Sequence, residues 1–249
     1  MKMLLQKNIE LPALKRAESA IKRFTIGERA IFYIFGAVFV AAGLLLLSYA
    51  NDSFSVNIPA KGGSLSEGII GSPRFINPIL ATSDADRDLS SLIFSGLLRA
   101  TTKGTLVPDL ADNYTISDDG LTYTETLKNN IFFHDGAPIS ADDIIFTISE
   151  AQDSSVKSPR RAEWDGVTVK KISDRVVSFK LPRPYYPFIE NLTLGIIPKH
   201  LWKDISGDEF IFILKNITPI GSGPYKIDSV DKNDKGIPTV YKMSSFSKY

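Results

Sequence analysis

Residues 108–150 read PDLADNYTISDDGLTYTETLKNNIFFHDGAPISADDIIFTISE, and the order of signals within them is strand, turn, strand, turn, helix. Ser117-Asp118-Asp119-Gly120 is a turn cluster: Asp side chains bond nearby backbone amides, and Gly takes positive φ without steric cost. From Leu121 to Leu127 the side chains alternate, with Leu121, Tyr123 and Leu127 on one face and three threonines on the other. A period of two with β-branched residues predicts a half-buried strand. His134-Asp135-Gly136 is a second turn. Ser140 stands at a helix N-cap, with Asp143 in the capping-box position and Asp142 near the positive end of the helix dipole. Ile144, Ile145 and Ile148 follow at helical spacing. Read locally, this is a small α/β unit of a kind that many folds contain.

Composition limits what such a unit can belong to. The chain has 249 residues, enough for one large domain or two small ones. Its 43% hydrophobic and 23% charged residues are ordinary for a folded protein, and a net charge of +1 gives no electrostatic case for binding nucleic acid. There is no cysteine, which excludes disulfides, a thiol nucleophile, cysteine zinc sites and iron–sulfur clusters.

Near the start, residues 30–50 (AIFYIFGAVFVAAGLLLLSYA) carry no charge. A run of roughly 20 apolar residues matches the ~30 Å hydrocarbon core of a bilayer. Lys2, Lys7, Lys15, Arg16, Lys22, Arg23 and Arg29 precede it, against Glu10, Glu18 and Glu28, while only Asp52 lies between it and Lys61. The positive-inside rule then puts the N-terminus in the cytoplasm and everything after Ala50 outside. A cleaved signal peptide competes with this anchor, since Ser48-Tyr49-Ala50 offers a small-x-small cleavage site, and a buried core helix is the third reading. Leu11 to Phe24 reads as a solvated, orienting tail or as a basic amphipathic helix on the inner membrane surface. The expected organisation is a cytoplasmic basic segment (1–29), a transmembrane signal-anchor (30–50), a linker (51–62) and a folded lobe (63–249).

Within the lobe, Ser64 to Ile70 is a candidate first strand and Asn77-Pro78 a turn. DRDLSSLIFSGLL, from Asp86, places Leu89, Leu92, Ile93, Gly96 and Leu97 at helical spacing. Thr101 to Leu106 is a turn or hairpin about Gly104. Val167–Ile172 and Val176–Leu181 alternate around Ser173-Asp174-Arg175 and predict a hairpin. Phe188–Leu194 and the stretch opening at Ile197 read as short helices, and Tyr225–Val230 and Thr239–Met243 as closing strands.

The ordered set of short motifs resembles the bacterial extracellular solute-binding proteins of family 5, the peptide-binding, and in some branches nickel- or sugar-binding, subunits of ABC importers. Asn77-Pro78 stands where that family has Asp-Pro, and Phe94-Ser95-Gly96-Leu97-Leu98 resembles its Tyr-Glu-Gly-Leu-Leu. Pro108-Asp109-Leu110-Ala111, the stretch quoted first, Val176–Leu181, Ile197-Pro198-Lys199-His200 and Gly221-Ser222-Gly223-Pro224-Tyr225 follow in the family's order. The resemblance implies a mixed α/β (α+β) fold: one lobe of a type II periplasmic binding protein, truncated relative to the considerably longer family members and preceded by one transmembrane helix. It implies a membrane-tethered component that captures peptides or similar small solutes outside the cell membrane for ABC permease subunits, with no catalysis and no cofactor. The alternative from the residues is a ligand-free, membrane-anchored interaction or scaffold module. A chain stopping shortly after GSGPY would be a fragment, a split gene product or a reduced relative.

In peptide-binding members, backbone contacts follow Asp-Pro, and the matching positions are Thr82, Ser83 and Asp84. A second contact follows a Ser-Pro after the long helix; here Ser158-Pro159 is followed by Arg160, where the family often has an aromatic residue. Arg160 could hold a carboxylate through its guanidinium fork, or stand as a solvated surface arginine. His134 and His200 are the only histidines, too few for a metal site of three or four ligands, so His134 is expected to serve turn geometry and a hydrogen bond. Gly221-Ser222-Gly223 lacks the third glycine of a dinucleotide loop. Trp164 and Trp202 are expected in the core, and no nucleophile–base or carboxylate pair stands at a catalytic spacing.

Overall fold

The computed structural model describes residues 23–54 and 62–249. The tail reading of Leu11–Phe24, but for its last two residues, and most of the linker lie outside the described residues. The chain divides into two compact units, Met1–Ser66 and Glu67–Tyr249.

In the first unit, α1 (Ile26–Phe54) begins four residues earlier than the apolar run. The cause is a reciprocal cap: Thr25 N donates to Glu28 Oε2 at 2.8 Å, and Glu28 N donates to Thr25 Oγ1 at 3.4 Å. Ile26–Ala50, 25 residues, is long and apolar enough to cross a membrane; at 1.5 Å per residue it reaches about 37 Å. Its apolar side chains, Phe39 and Leu45 among them, are exposed, unlike those of a buried core helix.

The expected strand at Ser64–Ile70, which spans the division between the units, does not form: no described strand pairs with it, and Leu65 and Ile70 are exposed. The helix α2 (Asp84–Ile93) stops short of Leu97, because Phe94 turns extended and the chain enters β1 (Leu98–Ala100), hairpinned to β2 (Leu106–Pro108) around Gly104. Strands β3 (Ala111–Ile116), β4 (Thr122–Leu127), β5 (Thr168–Ser173) and β6 (Val176–Lys180) form an antiparallel sheet in the order β3-β4-β6-β5. The helix α3 (Ala141–Gln152) packs on β5 and β6. Short helices α4 (Phe188–Asn191) and α5 (Lys199–Trp202) follow, and a separate hairpin of β7 (Tyr225–Lys232) and β8 (Pro238–Ser245) closes the chain.

The core sits on the face of β4 that carries Tyr123 and Leu127, opposite Phe179 and Val177 of β6. Phe188 is its hub, with ring centroids 5.0 Å from Tyr123, 5.6 Å from Trp164 and 6.1 Å from Phe179. Offset and edge-on ring contacts of this kind add to the area they bury. The alternation of β4 puts one further residue on the same face. Glu125 is fully buried, its two carboxylate oxygens have no hydrogen-bond partner, and burial pushes its pKa up to about 8.

The loops converge beside this core on the end of α2. Gly223 N donates to Ile93 O at 2.7 Å, Ser95 N to Ser222 Oγ at 3.3 Å, and Ile196 N to Ser95 O at 2.9 Å. Such approach requires glycine. A Cβ on Gly223 would sit 2.6 Å from Leu92 O, and one on Gly96 would sit 2.6 Å from Thr193 O.

Two outcomes follow for stability, measured on the full chain by urea denaturation. Gly223→Ala forces backbone apart and lowers stability by about 2 kcal/mol or more. Between pH 4.5 and about 8 the unfolded chain has lost the Glu125 proton while the folded chain keeps it, so stability falls as pH rises through that window. The full fall is on the order of 4–5 kcal/mol at 1.36 kcal/mol per pH unit. Glu125→Gln removes that slope and is the more stable protein at pH 8; an unchanged slope would refute the assignment.

Candidate functional site

The positions expected to meet ligand lie on two segments, 77–84 and 158–163, and buried polar residues shape both. The first segment wraps around a single carboxylate. Asp86, 1% exposed, stands three residues after the N-cap Ser83 and completes a capping box. Its Oδ1 accepts from the amides of Arg74 (2.7 Å) and Phe75 (2.9 Å), and its Oδ2 from those of Thr82 (3.3 Å) and Ser83 (3.1 Å). Burial raises its pKa, but the donated amides outweigh that and hold it below the usual carboxylate range. Upstream, Asn77 folds the Asn-Pro turn: its Oδ1 accepts from Ile79 N at 3.1 Å, and its Nδ2 donates to Asn216 Oδ1 at 3.1 Å.

The second segment is tied to the first by one hydroxyl. Ser158 Oγ donates to Ile79 O at 2.6 Å and accepts from Arg160 N at 3.1 Å. This bond, between residues 79 apart in sequence, sets the turn carrying Arg160 against the loop carrying Thr82. The 3-10 turn that follows, Arg161–Trp164, is pinned to the end of α3, where Gln152 Nε2 donates to the carbonyls of Trp164 (2.7 Å) and Val167 (2.8 Å).

Thr82, Ser83 and Asp84 are all exposed, with distinct roles. The amides of Thr82 and Ser83 face inward to Asp86, and the Thr82 carbonyl accepts from Arg87 at 2.6 Å. Asp84 pairs with Arg87 at 2.5 Å. What faces outward is therefore side chain: the Thr82 hydroxyl, the Ser83 hydroxyl proton and the Asp84 carboxylate. Arg160 is ion-paired to Glu163 at 2.9 Å, both side chains about one-third exposed. Burial pushes the Glu163 carboxyl up and Arg160 pulls it partly back. A ligand carboxylate reaching Arg160 would compete with Glu163. Asp86, Ser158 and Glu163 were not singled out from the sequence as organisers of the site. The Ser83-x-x-Asp86 spacing is a capping-box signature that could have found the first; Glu163 stands three residues after Arg160, a local spacing that could have paired them, and only Ser158 depends on a tertiary neighbour.

His134 sits away from these segments, at the glycine junction. Its Nδ1 accepts from Gly221 N at 3.3 Å, so Nε2 carries the proton and donates to Gly223 O at 3.0 Å. Both ring nitrogens are thus spent on the Gly221–Gly223 loop, and burial pushes the imidazole below its ordinary pKa. His200 Nε2 lies 2.8 Å from Asp135 Oδ2. Trp164 and Trp202 are buried in the core.

With this geometry in place, residues 105–237 match the family model described as "Bacterial extracellular solute-binding proteins, family 5 Middle". The oligopeptide-binding protein AppA of Bacillus subtilis is 33% identical over 180 residues, 69% of this chain and 32% of that protein. The structure of AppA in complex with a nonapeptide superposes with a TM-score of 0.67 at 29% identity, covering 73% of this chain and 36% of that one. NikZ from Campylobacter jejuni in complex with Ni(L-His) gives a TM-score of 0.59 at 32% identity, covering 68% of this chain and 32% of that one. The chain spans about a third of the length of the curated relatives it matches.

If one carboxylate shapes the 74–84 loop, Asp86→Ala destabilises the protein by about 2–3 kcal/mol, because four part-buried amides lose their acceptor. The stability Asp86 provides is present above the ordinary carboxylate pKa of 3.8 and is lost as pH falls below it. Hydrogen exchange checks the local claim: the amides of Arg74, Phe75, Thr82 and Ser83 should exchange faster in the variant while those of β4 keep their rank order. Unchanged protection at the four amides would contradict it.

Proposed function

The chain belongs to the bacterial extracellular solute-binding proteins of family 5, and on that premise we propose that it is a membrane-tethered capture component of an ABC importer, taking up peptides or similar small solutes. Its fold is mixed α/β, and its structural neighbours are type II periplasmic binding proteins. The observation that supports the reading at particular residues is the Ser158–Ile79 bond, which ties the turn preceding Arg160 to the segment leading to Thr82, Ser83 and Asp84. These side chains form one wall of a cleft. Hydrogen bonds and burial of the solute, completed when a second wall closes on it, supply the affinity, and no bond in the solute is made or broken.

The helix Ile26–Ala50 supplies the tether. The basic flank on its N-terminal side keeps the N-terminus cytoplasmic and leaves the lobe outside, where an ABC permease receives the captured solute. An anchor of this length holds a binding protein at the membrane without the lipidated cysteine that the chain lacks.

Thermal denaturation of the full chain in detergent micelles, with peptide mixtures, sugars or nickel–histidine chelate added, tests this. A ligand present at 100 times its Kd stabilises the folded state by about 2.7 kcal/mol, which corresponds to a midpoint shift of several degrees for a domain of this size. Peptides should produce the shift, and Thr82→Ala should reduce it while leaving the ligand-free midpoint within about 1 °C, as expected of an exposed side chain; Arg160→Ala, which also breaks the Glu163 ion pair, should reduce it further relative to its own ligand-free midpoint. Absence of a shift with every solute would refute the capture reading.

A further inference from the structure

A concavity lies apart from the segments around Thr82 and Arg160, lined by residues of different chemistry. It is a cavity of about 310 Å³ walled by β1, the Pro108–Leu110 stretch, the turn after β4, the Gly221–Gly223 loop and the residues following β8. Three elements remote in sequence each bring it one cation: Arg99, Lys128 and Lys248. Among the described residues none of the three has a carboxylate within ion-pair distance. Lys248 Nζ lies over the Phe132 ring at 4.4 Å, a contact that holds the ammonium in place without neutralising it. The acidic side chain in the wall, Asp109, accepts a hydrogen bond from the Tyr249 hydroxyl at 3.1 Å.

The remaining wall is rich in donors. Ser222 is 3% exposed, and its oxygen accepts from Ser95 N at 3.3 Å, which leaves its own proton free to donate. His134 fixes Gly221 and Gly223 on either side of it, so the hydroxyl is held in position. Asn129 and Asn130 add amides, and Asn130 takes a left-handed backbone (φ 57°) to make the turn that presents them. Three like charges around one space repel one another unless an anion lies between them.

We propose that this cavity is a binding site for a small oxyanion bearing two or more negative charges, held by Arg99, Lys128, Lys248 and the Ser222 hydroxyl. A guanidinium and two ammoniums offer only donors, the Ser222 hydroxyl adds its proton, and an oxyanion offers only acceptors. Phosphate-type and polycarboxylate anions share this chemistry, and both fit the volume.

The test is thermal denaturation of the full chain in detergent micelles with pyrophosphate or citrate, each against sodium chloride at matched ionic strength. The site predicts a saturable stabilisation of a few degrees beyond chloride, abolished in an Arg99→Gln/Lys128→Gln variant whose circular dichroism matches the parent. Phosphorus NMR of pyrophosphate gives a second readout, with line broadening by the parent and none by the variant. A response to pyrophosphate and not citrate assigns the site to phosphate groups, and the reverse assigns it to carboxylates. Stabilisation no greater than with chloride, or equal in the variant, overturns the proposal. The solute-capture reading is untouched by that result, since its variants lie at Thr82 and Arg160.

Discussion

The close approach of three loops to the C-terminal end of α2 is the constraint on which the rest of the lobe depends. Gly96, Gly221 and Gly223 allow carbonyls and amides to meet where any side chain would collide, and His134 locks the arrangement with both ring nitrogens. Through this junction the sheet, the segment leading to α5 and the β7–β8 hairpin share one anchoring point. The motifs that carry the family resemblance, FSGLL, FHDG, the IIPKH segment and GSGPY, meet at or beside it. Asp143 extends the same logic to α3: its two oxygens accept from Ser140 N at 2.9 Å and Lys199 N at 3.0 Å, so the helix cap also holds the IPKH turn. These motifs build framework, and the side chains proposed to meet solute lie outside them.

Much of this framework was legible because its signals are local. The Asp119-Gly120 turn, the alternation of β4, the Ser140 cap and the hairpin of β5 and β6 each follow from neighbours in sequence. The readings that differ do so for tertiary reasons. Ser64–Ile70 has strand composition and no described partner strand, so nothing satisfies its backbone as a strand. The helix at Asp84 ends early because Phe94 to Leu97 is drawn into the glycine junction, which helical periodicity cannot reveal. Glu125 falls on the buried face by the same period-two rule that placed Tyr123 and Leu127.

The site was legible in part. A capping-box spacing marks Asp86, but its second duty, gathering the amides of Arg74 and Phe75, belongs to the folded loop alone. The tie from Ser158 to Ile79 likewise has no sequence signature beyond Ser-Pro itself, whereas the pairing of Arg160 with Glu163 is an i,i+3 spacing of opposite charges. The lobe therefore presents its outward groups from a backbone whose own hydrogen bonds are already made. Preorganisation of this kind lowers the ordering cost of binding.

The central claim is that solute meets the 77–84 and 158–163 segments while the glycine junction only holds them. Hydrogen–deuterium exchange of the full chain, with and without a saturating peptide mixture, tests it most directly. The account predicts added protection at those two segments and unchanged exchange at residues 94–97 and 221–223. Added protection at the junction with none at the two segments would contradict it.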